Sequence, residues 1–236
     1  MLLQLFNKGL SAQEIIFYLL IMLFAMTLSF SLHEFMHAAV AVWLGDNTPK
    51  YQGRLTLNPL AHIDPVGTVL LLLAGFGWGK PVIFNPNYLS RFKSRRAMII
   101  LVNLAGVAGN FLLSFLCQII SVFITAFLGT STMPIVVITT VLTYTSSFSM
   151  MLLAFNLIPI PPLDGFHVLQ ELLPYKIRSS EGYRKFERFS PMCIWILFIL
   201  GSISNVSILS YIIEGISFPF TWVINTVCNG LYSLLV

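Results

Sequence analysis

Charged side chains are scarce in this chain of 236 residues. They account for 9% of the sequence, whereas a typical soluble domain carries about 25%. Hydrophobic residues make up 57%, and the mean hydropathy is +0.86. Because a soluble fold needs polar residues to cover its surface, this composition excludes an ordinary cytosolic enzyme, a disordered tail and a nucleic-acid-binding module. It predicts instead a polytopic membrane protein whose outer surface faces lipid.

Cysteine is rare as well, and the three present are Cys117, Cys193 and Cys228. All three lie in apolar stretches without the spacing of metal ligands. We therefore interpret them as small apolar filling residues and expect no disulfide framework. We also expect no cleavable signal peptide, because the first apolar run, Ile15 to Leu44, is much longer than the roughly 7–15 residues of a signal-peptide core.

The few basic residues are unevenly placed. There are 13 Lys and Arg against 9 Asp and Glu, which gives a net charge of +4. All but Lys8 fall in three stretches between apolar segments: Lys50 and Arg54; Lys80, Arg91, Lys93, Arg95 and Arg96; Lys176, Arg178, Arg184, Lys185 and Arg188. Because short loops rich in Lys and Arg mark the cytoplasmic side of a membrane, we interpret this charge as a topology signal.

The apolar runs predict an all-α polytopic membrane fold of about five or six transmembrane helices. The predicted segments are 13–44, 65–77, 97–128, 134–156, 191–213 and 216–236. The second is too short to cross a hydrocarbon core of about 30 Å. Between it and the third, 78–96 reads as an irregular or short β-hairpin loop. We expect one membrane-embedded domain over 1–236, with a catalytic core at about 13–170 and C-terminal helices at about 191–236.

The first apolar segment contains His33-Glu34-Phe35-Met36-His37, an H-E-x-x-H pattern. On a helix the two histidines share a face one turn apart, so their imidazoles can chelate one tetrahedral zinc ion. Glu34 lies on the adjoining flank and can act as general base toward a water at the metal. Ionisable residues in a membrane segment cost about 2.5 kcal/mol or more each on insertion scales, which favours a functional site here. The alternative is a hydrogen-bonded polar cluster between helices.

A catalytic zinc takes three protein ligands, and Asp164 is the candidate for the third. It ends a proline-rich stretch that begins at Asn156, where the prolines break the helix. Irregular backbone at membrane depth is tolerated where it lines a cavity, so this break could hold an acid facing the first segment. On these residues alone, an ordinary proline-rich helix exit with an aspartate turn is an equal alternative.

The predicted topology supports this pairing independently. A shared metal requires the first and fourth segments to end on the same side of the membrane. The basic stretch 176–188 places the end of the fourth segment in the cytoplasm. If the segment 65–77 enters the membrane and returns, every multiply basic loop then lies on that side. The metal site is therefore expected near the cytoplasmic face.

These motifs resemble the site-2 protease family of intramembrane zinc metalloproteases. The resemblance covers roughly 28–170, the family's three-helix catalytic core with its loops, and rests on His33-Glu34-Phe35-Met36-His37, Asn58-Pro59-Leu60-Ala61-His62-Ile63-Asp64-Pro65-Val66-Gly67-Thr68, Gly77-Trp78-Gly79-Lys80-Pro81-Val82 and Asn156…Pro159…Pro162-Leu163-Asp164-Gly165. It points to a compact bacterial or archaeal subgroup without PDZ or CBS domains. The stretch Leu104–Asn110 resembles the family's A-G-P-x-x-N, with Val107 in place of the proline.

The resemblance implies a role for each site residue. His33, His37 and Asp164 would hold one Zn²⁺ per chain, Glu34 would be the catalytic glutamate, and Asn156 would bind substrate or steady the oxyanion. The implied reaction is hydrolysis of peptide bonds within or near transmembrane segments of membrane proteins. The implied partners are such a transmembrane protein or peptide and membrane lipids, with no nucleic acid. The implied location is the prokaryotic cell (inner) membrane, as a multi-pass protein.

Two other functions remain open from the sequence. One is a membrane transporter that binds a metal ion through His33, His37 and Asp164, and the other is an inactive protease-like scaffold. Glu34 argues against both, because neither requires an acid at that position. Three further residues have unassigned roles: His62 and Asp64, which read as turn and hydrogen-bonding residues, and His167, which could support the metal site or pack at the interface.

Overall fold

The computed structural model describes residues 11–74, 77–203 and 208–236, with the side chains of 71–74 and 198–203 excepted. In this part of the chain the helices are α1 (Ala12–Trp43), α2 (Thr48–Tyr51), α3 (Pro65–Ala74), α4 (Arg95–Leu128), α5 (Met133–Asn156), α6 (Asp164–Leu172), α7 (Tyr175–Arg178), α8 (Glu181–Ile203) and α9 (Ile208–Leu235), with a 3-10 turn at Pro59–Ala61. Lys8 lies outside the described residues.

Four of the described helices, α1, α4, α5 and α9, are long and apolar enough to cross a membrane. This confirms the all-α polytopic membrane fold. The bounds of α1, α4 and α5 agree with the predicted segments to within two residues. Ser11 and Ser94 begin α1 and α4 by accepting hydrogen bonds from the backbone N–H groups of Glu14 and Ala97, which satisfies one of the open donors of each first turn.

The helices α1, α4 and α5 pack against one another and form the core of the protein. The buried side chains of α1 include the polar Ser29 and Ser31 beside apolar ones such as Ala25 and Ala38. Large apolar side chains of α1, such as Ile16, Leu20 and Phe24, are exposed on a stripe of four-residue spacing. A helix that buries polar side chains and exposes large apolar ones is suited to lipid surroundings.

Hydroxyl groups join the core helices where their backbones come close. Ser29 of α1 and Ser149 of α5 share a hydrogen bond of 2.7 Å between their Oγ atoms. Ser114 of α4 and Ser146 of α5 share a similar bond of 2.8 Å. Such bonds between membrane helices contribute about 0.6 kcal/mol each on average. A cluster of Val107, Met150, Leu153, Ala154, Ile224 and Cys228 then packs α9 onto α4 and α5.

The two ends of the short second segment lie next to each other. After α3 the chain returns so that Ile63 and Gly79 form an isolated antiparallel bridge, and Lys80 N–H donates to the His62 carbonyl at 2.7 Å. Its two ends are therefore paired with each other, which is the arrangement that a re-entrant segment requires. The loop that follows is irregular, and the described residues contain no β-hairpin there.

The prediction for the last two helices was wrong in its bounds. The basic stretch 176–188 is not a loop, because α7 and the first turns of α8 occupy it, and Pro191 lies inside α8. Residues 214–215 do not separate two helices, because both lie within α9, as does Pro219. A glycine costs about 1 kcal/mol in a helix, and neighbouring helices allow proline in membrane helices, so these residues do not end α9.

Candidate metal centre

The two histidines of the H-E-x-x-H pattern face the helix core. His33 and His37 lie one turn apart on α1, with 4% and 7% of their surfaces exposed. Their Nε2 atoms are 3.1 Å apart, and their rings meet edge to face. The i, i+4 spacing thus brings two imidazole nitrogens to one point inside the protein, as the sequence predicted.

Asp164 reaches these histidines through the break that follows α5. The prolines between Leu157 and Leu163 end α5, and the chain turns so tightly that α6 begins at Asp164. A Cβ on Gly165 would overlap the Leu157 carbonyl group, 2.6 Å from its carbon, so only glycine permits this turn. The turn places the Asp164 carboxylate at the end of the α1–α4–α5 core.

Three ligand atoms converge at this point. Oδ2 of Asp164 is 3.3 Å from Nε2 of His33 and 3.2 Å from Nε2 of His37. A tetrahedral zinc with bonds of about 2.0–2.1 Å has ligand–ligand edges of about 3.3–3.4 Å. The three separations are close to such edges, and His33, His37 and Asp164 are positioned to bind a metal ion.

Hydrogen bonding around the cluster also fits a cation. Nδ1 of His37 is 2.8 Å from the Val102 carbonyl of α4, which can only accept, so Nδ1 carries the proton and Nε2 keeps its lone pair. Oδ2 of Asp164 is buried and has no aligned hydrogen-bond donor among the described residues. Lone pairs of Nε2 and Oδ2 that converge without a proton between them favour a bound metal ion.

Gly106 lets α4 approach both histidines. A Cβ at this position would lie 2.6 Å from Cε1 of His33 and would also overlap Nε2 of His37. One turn further along α4, a Cβ at Gly109 would meet the flexible side chain of Met36. The sequence placed Gly106 within the stretch Leu104–Asn110, but it gave no sign that Gly106 lies against the two histidines.

Glu34 is held from outside the helix core. Its Oε2 accepts a hydrogen bond of 2.8 Å from the backbone N–H of Val82, in the extended segment that follows the re-entrant turn. This segment is fixed further along by Asp46, a fully buried residue whose Oδ2 accepts from Asn85 N–H at 2.6 Å. Oδ1 of Asp46 accepts from the backbone N–H and hydroxyl of Thr48. Val82 ends the stretch Gly77–Val82 quoted for the family resemblance, but neither Val82 nor Asp46 was predicted as a site residue.

Asn156 is the last residue of α5, eight residues before Asp164. Its Nδ2 donates to the Leu152 carbonyl of its own helix at 2.9 Å, and it makes no hydrogen bond to the metal ligands within the described residues. An amide nitrogen carries two N–H groups, so one remains for another acceptor. The structure therefore leaves the expected role of Asn156 untested.

The three residues of unassigned role lie outside the cluster. His62 is fully buried, and its Nε2 bonds to the Thr56 carbonyl at 2.8 Å. Oδ1 of Asp64 accepts from Gly67 N–H in the first turn of α3. These contacts agree with turn and hydrogen-bonding roles. His167 is exposed, with its ring against Phe166, and takes no part in the metal cluster.

Comparison with known proteins agrees with this site. The family model described as Peptidase family M50 matches residues 21–201. "Putative zinc metalloprotease YwhC" of Bacillus subtilis (strain 168) is 40% identical over 156 residues, which cover 64% of this chain and 68% of that protein. "Putative zinc metalloprotease Rip2" of Mycolicibacterium smegmatis (strain ATCC 700084 / mc(2)155) is 33% identical over 150 residues, or 61% of this chain and 53% of that protein.

No solved structure matches the chain significantly. The family match spans the H-E-x-x-H helix, the re-entrant segment and Asp164, so it includes every residue of the metal cluster. It offers no support for a transporter or a scaffold. The chain belongs to peptidase family M50, the site-2 protease family of intramembrane zinc metalloproteases.

Proposed function

We propose that this chain is a single-domain protease of the prokaryotic cell membrane that hydrolyses peptide bonds within or near transmembrane segments of other membrane proteins. The observation that carries the proposal is the convergence of His33, His37 and Asp164, beside Glu34, inside an apolar helix bundle. The catalytic core is α1 through α6, and α8 and α9 complete the domain.

The proposed chemistry assigns each side chain one task. His33, His37 and Asp164 hold zinc, which supplies a Lewis acid and lowers the pKa of its water. Glu34 takes the proton of the attacking water and passes it to the leaving amine. The second N–H of the Asn156 amide donates to the developing oxyanion.

The extended segment around Val82 is the proposed contact for substrate. The N–H groups of Lys80 and Val82 point inward, to the His62 carbonyl and to Glu34. Ile83 points the other way and is 64% exposed. Because alternate residues of an extended chain face opposite sides, the outer edge can pair with an unwound substrate as an added strand. Disulfide cross-linking of a substrate to positions 78–88 tests this, and cross-links confined to α8 and α9 would contradict it.

We infer that the site lies near the cytoplasmic side. The support is the charge distribution, because the loops at the metal-site end of the core carry most of the basic residues. This orientation can be tested with a variant in which the three native cysteines are replaced by serine. Single cysteines are then introduced into it. A cysteine in place of Lys93 should resist labelling by an impermeant reagent added to intact cells, and one in place of Ser131 should react. The reverse pattern would refute the orientation.

The central test is Glu34→Gln in the purified protein with a membrane-embedded substrate. Glutamine keeps the size of the side chain but cannot take a proton, so cleavage should be abolished while one zinc per chain stays bound. Cleavage at the unaltered rate would refute the proposed mechanism. Metal flux into proteoliposomes without proteolysis would favour a transporter. Comparing membrane-protein fragments from cells with Glu34 and with Glu34→Gln would then identify substrates.

A further inference from the structure

Asn110 of α4 contacts the face of His33 that is turned away from the metal cluster. Its side chain is fully buried, and Nδ2 lies 3.1 Å from Nδ1 of His33. Its other amide atom, Oδ1, is buried and has no hydrogen-bond partner among the described residues. Because an amide nitrogen can only donate, this orientation requires Nδ1 of His33 to be unprotonated.

A metal ion bound at Nε2 of His33 requires the opposite protonation of this ring. If His33 binds the metal through Nε2, then Nδ1 carries a proton and requires an acceptor. The amide oxygen and nitrogen of asparagine have nearly the same size, so a half-turn of the Asn110 amide exchanges their positions. Oδ1 then accepts from Nδ1–H of His33, and Nδ2 takes the place that Oδ1 had.

The second histidine is held in the same way. Nδ1 of His37 donates to the Val102 carbonyl, which also belongs to α4. Val102, Gly106 and Asn110 follow one another at four-residue intervals, so they lie on one face of α4. This face offers one acceptor to each ring, and Gly106 between them leaves room for both.

We propose that Asn110 is a positioning residue for the metal centre: its amide oxygen accepts from Nδ1–H of His33 and fixes the tautomer that ligates through Nε2. The inference rests on the proposed metal role of His33.

The test measures zinc affinity, which does not depend on proteolysis. Each variant is made with Glu34→Gln, so that self-cleavage cannot interfere, and zinc is titrated against a competing chelator. Asn110→Leu keeps the volume and removes the acceptor, and should weaken zinc binding about 10–100-fold, the usual effect of losing a hydrogen bond behind a metal-bound histidine. Asn110→Asp keeps an acceptor, and its zinc affinity should stay within about threefold of that of the parent protein.

Asn103→Leu is the matched control, because Asn103 is a buried asparagine of the same helix that bonds only to the Ile99 carbonyl of that helix within the described residues. Its zinc affinity should equal that of the parent. The proposal is overturned if Asn110→Leu binds zinc like the parent, if Asn110→Asp is as weak as Asn110→Leu, or if Asn103→Leu is equally weak. A parent protein that binds no zinc would instead overturn the proposed function itself.

Discussion

The backbone N–H of Val82 and the carboxylate of Glu34 are joined by a hydrogen bond of 2.8 Å, although the two residues belong to different parts of the fold. Glu34 lies on the last third of α1, and Val82 lies on the extended segment beyond α3. The bond occupies Oε2 and leaves Oε1 for the proton transfers of the proposed reaction. The segment proposed to receive substrate therefore also orients the proposed base.

Removing this donor should slow the reaction without releasing zinc. Val82→Pro eliminates the N–H, and Val82 follows another proline in an extended stretch that tolerates the change. We expect kcat to fall on the order of tenfold, with KM unchanged, because Glu34 loses its orientation. Val82→Ala keeps the N–H and is the control, with kcat near that of the parent. Equal kcat values for the two variants would show that the hydrogen bond has no catalytic role.

The proposed metal site predicts different effects for substitutions of Asp164 and of His167, three residues later. Asp164→Ala should weaken zinc binding by more than the roughly 10–100-fold that loss of a supporting hydrogen bond causes, because a ligand itself is gone. His167→Ala removes an exposed imidazole outside the cluster and should leave zinc content and cleavage unchanged. Metal analysis of the purified proteins measures both. Zinc retained by Asp164→Ala would exclude this aspartate as a ligand.

A methyl group added at Gly106 should disturb the metal centre directly. In Gly106→Ala the new Cβ overlaps both histidine rings, so the core must open at an overpacking cost of about 1–3 kcal/mol. Zinc affinity and thermal stability in detergent should both fall. Gly215→Ala on α9 meets nothing within 4 Å and should be neutral or stabilising by up to about 1 kcal/mol. A Gly106→Ala protein with parental zinc affinity would show that α4 can shift away without moving the metal ligands.

Asp46 should control the loop that carries Val82. In Asp46→Asn one accepting oxygen becomes an NH₂ group, so Asn85 N–H or the Thr48 donors face another donor, at a cost of about 1–3 kcal/mol. We expect a lower unfolding temperature and faster tryptic cleavage after Arg91 and Lys93, which are exposed. Asn87→Ala, in the exposed part of the same loop, is the control and should change little. Parental protease resistance in Asp46→Asn would mean that Asp46 does not anchor the loop.

The ligand cluster was accessible to sequence reasoning because each ligand has a local signature. The four-residue interval of His33 and His37 places them together on any helix, and the prolines before Asp164 mark a break. The charge pattern then required both to lie at the same end of the bundle. These regularities depend only on chain geometry and the membrane, so the structure reproduces them.

The residues that support the cluster have no such signature. Val82 acts through its backbone N–H, which every residue except proline possesses. Gly106 acts by lacking a side chain at the point where the rings of His33 and His37 come close to α4. Asp46 reads as an ordinary turn acid. The bounds of α8 and α9 were wrong for a related reason, since Gly215 and Pro191 are helix breakers only where neighbouring helices and lipid do not compensate.

The third ligand comes from the far side of the proline break, and this has a consequence for biogenesis. His33, Glu34 and His37 are synthesised more than a hundred residues before Asp164, so a nascent chain that has inserted only α1 and α4 holds two ligands and the base. Metal affinity that depends on folding appears only when the site is assembled. With the proposed ligands and base, the chain stays inert toward neighbouring membrane proteins until α5 has inserted and α6 has turned back.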